Sequence, residues 1–82
     1  MKVTYSPLFK RHYDELPPTA QLQFQLIDAQ VKAGNLAVLR KNAWVWYKGV
    51  GAGFMAWGTH FEQEDEFYWR DVDLPRMVPV VL

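Results

Sequence analysis

Lys2-Val3-Thr4-Tyr5-Ser6-Pro7-Leu8-Phe9-Lys10-Arg11-His12-Tyr13-Asp14-Glu15-Leu16-Pro17-Pro18 reads as a strand, a helix cap and a helix in immediate succession. The first four residues alternate polar and apolar and include strand formers. Ser6 is suited to cap a helix, and Pro7 stands at the first helical position, where its missing N–H costs nothing. At 100° per residue Leu8, Phe9, His12, Tyr13 and Leu16 share one arc, opposite Lys10, Arg11, Asp14 and Glu15. Pro17-Pro18 ends the helix, because the first ring clashes with the preceding turn.

A second helix follows, with Thr19 as its expected cap and Gly34-Asn35 as its stop. Leu22, Leu26, Ala29 and Ala33 line one side of it, and Ala20, Phe24, Ile27 and Val31 another. Two apolar faces require two partners. The expected ones are the first helix and a sheet, unless one face is kept for another protein.

Beyond Leu36 the texture is that of strands. Leu36–Leu39 suits either a strand start or a packed loop. Ala43-Trp44-Val45-Trp46-Tyr47-Lys48, Phe54–Phe61 and Phe67–Val72 are rich in aromatic and β-branched residues, and turns separate them. Met77–Leu82 suits an edge strand, because Pro79 cannot donate to a central ladder. The expected class is α+β, a single domain over residues 1–82. Two N-terminal helices should cover one face of a small antiparallel sheet, in the order β-α-α-β-β-β with a last edge strand as an option.

The 82 residues are 50% hydrophobic and 16% aromatic, which excludes a disordered tail. Nine basic residues balance nine acidic ones, so a protein that coats nucleic acid is disfavoured. The balance hides an asymmetry, about +4 over residues 1–48 and −4 over residues 49–82. There is no cysteine, which excludes disulfides, thiolate metal sites and a thiol nucleophile. With no apolar run of membrane-spanning length and no signal-like opening, a cytoplasmic protein away from the membrane is expected.

Gly49-x-Gly51-x-Gly53 lacks the Lys-Ser/Thr and the helix of a phosphate loop, so it is expected to be a hairpin turn. His60 and Glu62 share a strand face, but a third ligand would have to come from Glu64 or Asp71. Neither a metal site nor a cofactor is therefore expected. His12, within an apolar helix face, is expected to be partly buried and hydrogen-bonded.

The aromatic supply is the stronger signal. By strand alternation Trp44 and Trp46 share a face, as do Trp57 and Phe61, and Phe67 and Trp69. A sheet with helices on one side leaves its other face open. Trp57, Trp69 and Arg70, rimmed by the acidic turn residues Glu64, Asp65 and Glu66, form the expected patch for a protein partner.

The run from Val3 to Pro17, with a second helix ending Lys32-Ala33-Gly34, resembles the opening of the RelE/ParE-type bacterial toxins. The resemblance covers residues 2–35 and, more loosely, the strand order that follows. It implies a small cytoplasmic protein of β-α-α-β-β-β architecture that is held by an antitoxin. One branch of that family cleaves mRNA on the ribosome; the other inhibits DNA gyrase. In the cleaving branch an Arg follows the Gly-aromatic pair on the middle strand, whereas here Met55 follows Gly53-Phe54. That branch also carries basic residues and a Tyr or His near the C-terminus, and Met77–Leu82 has none.

The resemblance therefore implies action through a protein partner, an antitoxin or a gyrase-type target. RNA is the less expected partner. An endoribonuclease built on Arg70, with His60 or Tyr68 and Lys48, is the alternative. A further alternative is a non-enzymatic inhibitor from a phage or mobile element.

Overall fold

In a computed structural model, which describes residues 1–75, the first strand β1 (Lys2–Tyr5) leads straight into α1 (Pro7–Asp14). Ser6 makes that junction. Its hydroxyl accepts from the Phe9 N–H at 2.9 Å, capping the helix, and donates to the Arg70 carbonyl. The Ser6 N–H also donates to the Trp69 carbonyl at 2.9 Å, so the helix start is tied to the sheet.

The second helix, α2 (Pro18–Lys32), begins without a side-chain cap. Pro17 occupies the cap position expected for Thr19, because Pro18 fits the first turn and draws the helix start forward. Gly34 closes α2 at φ 87°, a left-handed conformation that glycine adopts freely. Its inner stripe of Ala20, Phe24, Ile27 and Val31 is buried against the sheet. Leu22 and Leu26, by contrast, are each 59% exposed. One apolar face of α2 thus has no partner within the described residues. Leu8 is also exposed rather than packed between the helices.

A single 3₁₀ turn (Leu36–Val38) leads into β2 (Arg40–Asn42), a short strand that the sequence pattern did not suggest. It is followed by β3 (Val45–Gly51), β4 (Phe54–Phe61) and β5 (Glu66–Asp73). The five-stranded sheet has the order β1-β5-β4-β3-β2. The fold is α+β, with the helices packed against the sheet as expected. Its ladders are antiparallel except that β1 and β5 run parallel, Val3 beside Phe67 and Tyr5 beside Trp69. The expected strand Met77–Leu82 lies outside the described residues.

Between helices and sheet the core is aromatic. Phe24 lies 4.9 Å from Phe9 and 5.0 Å from Trp69 by ring centroids, and Phe67 lies 4.7 Å from Trp69. Within it sits one buried carboxylate. Asp28 accepts from the Trp69 indole at 2.9 Å and from the Tyr5 hydroxyl, and Lys32 lies 3.5 Å away. Burial, and then the bond to Asp28, push the Tyr5 hydroxyl well above the ordinary tyrosine range.

Candidate protein-binding face

Pairing along the ladders sorts the strand residues into two faces. Lys48 is opposite Ala56, Trp46 opposite Gly58, and His60 opposite Phe67. Ala56 and Phe67 belong to the core, so these residues all face the helices. Tyr47 is opposite Trp57, and Thr59 opposite Tyr68, on the face that no helix covers.

Arg70 organises that open face. It stands where the β4–β5 register slips, with Trp57 paired to Asp71 and Gly58 to Trp69. A bulge of this kind re-aims one side chain and sharpens the local twist. The Arg70 Nε donates to Thr59 Oγ1 at 2.6 Å, which fixes the guanidinium over the sheet. Its Cζ then lies 5.2 Å from the Tyr68 ring centroid and 6.0 Å from that of Trp44. Both contacts are cation–π in character.

Trp44 reaches this face for a local reason. It lies in the two-residue turn between β2 and β3, whose first residue, Ala43, has φ 56°. Strand alternation does not hold there. Trp44 and Trp46 therefore part, against the expectation that they share a face. Trp46 meets His60 at 6.2 Å on the helix side, while Trp44 meets Trp57 edge-on at 6.3 Å. Trp44 remains 55% exposed, and Phe61, further along β4, is also exposed. The Trp57 Nε1 is shielded and makes no hydrogen bond among the described residues.

Two expectations for this patch need correction. Trp69 is fully buried, because its ring points to the helices and its N–H is taken by Asp28. It contributes nothing to the open surface. The acidic rim is also displaced. Glu64 and Asp65 lie in the turn after Phe61, and Glu66 pairs with Phe61. Trp57 is four residues along β4 from Phe61, roughly 13 Å away at ~3.3 Å per residue.

Part of the charge asymmetry is also neutralised within the fold. The N-terminal amine meets Asp65 at 3.9 Å, Lys2 meets Glu66 at 4.0 Å, and Thr4 donates to Glu66 at 2.8 Å.

The four residues considered for RNA chemistry do not gather. Tyr68 and Arg70 are on the open face, and Lys48 and His60 on the helix side. The turn after β3 is the expected hairpin, with Ala52 at φ 54° and Gly53 at φ 83°. Among the described residues no helix is long and apolar enough to cross a membrane. No protein-family model, curated protein or solved structure matches the chain.

Proposed function

We propose that this protein acts by binding another protein through the open face of its sheet, as a toxin of the RelE/ParE type engages an antitoxin or a cellular target such as gyrase. The observation that carries this reading is Arg70 held between Tyr68 and Trp44 beside Trp57. Trp, Tyr and Arg dominate the centres of protein interfaces, and a guanidinium already fixed by Thr59 loses little freedom on binding. The remaining guanidinium donors suit a carboxylate on the partner. The bare Leu22–Leu26 stripe of α2, on the far side of the molecule, offers a second apolar surface of the same use. Binding is favoured over RNA cleavage because Lys48 and His60 lie across the sheet from Tyr68 and Arg70.

The test places a photo-crosslinking phenylalanine analogue at position 44 of the full chain in its host cell. The expected result is a discrete, nuclease-resistant protein adduct that Arg70→Ala abolishes. Adducts to nucleic acid alone, or a pattern indifferent to Arg70→Ala, would overturn the reading.

A further inference from the structure

Where β1 ends at Tyr5 the chain turns into α1, so on that edge β5 beyond Arg70 has a helix for its neighbour, while β4 stays paired on the other. His12 of α1 there meets two carboxylates of β5. Its Nδ1 lies 2.7 Å from Asp71 Oδ1 and 3.7 Å from Asp73 Oδ2. One ligand atom from each residue falls within 4.8 Å of the others. Both carboxylates are held in place by backbone N–H groups, Asp71 by Val72 at 2.8 Å and Asp73 by Leu74 at 2.8 Å.

Asp71 is nearly enclosed, whereas His12 and Asp73 keep 24% and 27% of their side-chain surface open. They open onto a cavity of about 240 Å³ that Glu15, Leu16, Phe54 and Val72 also line. Among the described residues no lysine or arginine pairs with Asp71 or Asp73.

We propose that His12, Asp71 and Asp73 form a binding site for a divalent first-row transition ion, with the cavity as its entrance. The donor set decides the class of ion. Two carboxylates on a magnesium-type ion would leave the imidazole without a purpose, whereas one nitrogen with two oxygens suits Zn²⁺ or Mn²⁺. Ligand atoms around such an ion stand roughly 3–3.5 Å apart at bond lengths of about 2.1 Å, so small side-chain movements complete the set. The ion takes the place of the hydrogen bond between Nδ1 and Oδ1. Two carboxylates side by side, with no lysine or arginine paired to them among the described residues, attract a cation. The ion would link α1 to β5, tying the first helix to the last described strand.

Calorimetric titration of the full chain with Zn²⁺ and with Mn²⁺, paired with melting curves, tests this. One ion should bind per chain and raise the melting temperature. His12→Gln and Asp73→Asn should each weaken binding by roughly tenfold or more. Asp73 is partly exposed, so Asp73→Asn should fold even if His12→Gln does not. His60→Gln should bind as the parent does. Absence of saturable binding at millimolar metal would overturn the proposal. So would binding that both site variants retain, or that His60→Gln abolishes.

Discussion

The indole N–H of Trp69 donates to the carboxylate of Asp28 at 2.9 Å, joining residues 41 positions apart in the middle of the core. Trp69 on β5 is fully buried, and Asp28 on α2 nearly so. The bond therefore locks the second helix to the strand that also carries Arg70. A buried donor is expensive to leave alone: its unmet desolvation costs about 1–3 kcal/mol, and more beside a charge. Asp28→Ala strands both Trp69 and the Tyr5 hydroxyl. It should lower stability by about 2–4 kcal/mol and the melting temperature by about 10 °C or more, read by circular dichroism.

The buried Tyr5 hydroxyl beside this carboxylate makes stability depend on alkaline pH. Tyr5 holds its proton above the ordinary tyrosine value, first through burial and then through its bond to Asp28. The stabilisation is therefore whole below about pH 10. Above that the unfolded chain gives up the proton while the folded chain retains it, so stability falls as pH rises. Urea midpoints from about pH 8 to about pH 11 should decline. Tyr5→Phe should flatten that decline relative to the parent.

Gly58 is where the sheet makes room for its core. A Cβ there would stand 2.4 Å from the Tyr68 carbonyl oxygen and 2.6 Å from the Phe67 ring. The first is backbone and cannot swing away. Gly58→Ala should cost about 1–3 kcal/mol or more. Because Gly58 pairs with Trp69 beside the Arg70 bulge, the cost should appear together with altered tryptophan fluorescence.

The β3–β4 hairpin carries a local strain that can be relieved. Ala52 at φ 54° and Gly53 at φ 83° both occupy the left-handed region, and Gly51 pairs with Phe54 around them. Two successive positive φ values mark the turn in which Asn-Gly is the preferred pair. Ala at such a position costs about 1 kcal/mol. Ala52→Asn should recover about 0.5–1 kcal/mol, measurable as a higher urea midpoint with unchanged slope.

Local chemistry made much of the fold legible. Ser6-Pro7 announced α1, Gly34 the end of α2, and the Gly49–Gly53 run a hairpin, because caps and turns depend on a few adjacent residues. Of that run, Gly49 to Gly51 belong to β3. The inner stripe of α2 was likewise readable from its period. What escaped was set by distant pairing. Nothing in Lys2–Tyr5 says that it will lie parallel to β5. The Arg70 bulge has no sequence mark, yet it aims the guanidinium at Thr59. Trp44 was assigned by alternation to the side of Trp46, and a two-residue turn reversed it. Trp69 was assigned to the open patch, and the partner that draws it inward, Asp28, is 41 residues away on α2. Histidine chemistry was sought at His60 and Glu62 through adjacency, whereas the fold joins His12 to Asp71 and Asp73, 59 residues and more away.

The most direct measurement of the central claim is the affinity of the chain for the protein crosslinked at position 44, compared among variants shown to be folded. Trp44→Ala and Arg70→Ala remove exposed or half-exposed groups and should each cost about 2 kcal/mol, a loss of roughly thirtyfold carried mainly by faster dissociation. Neutralising Glu64 and Asp65, which lie beyond Phe61, should alter association rate and salt dependence while leaving dissociation unchanged. Affinities that stay level in Trp44→Ala and Arg70→Ala would contradict the account and would place the partner elsewhere on the molecule.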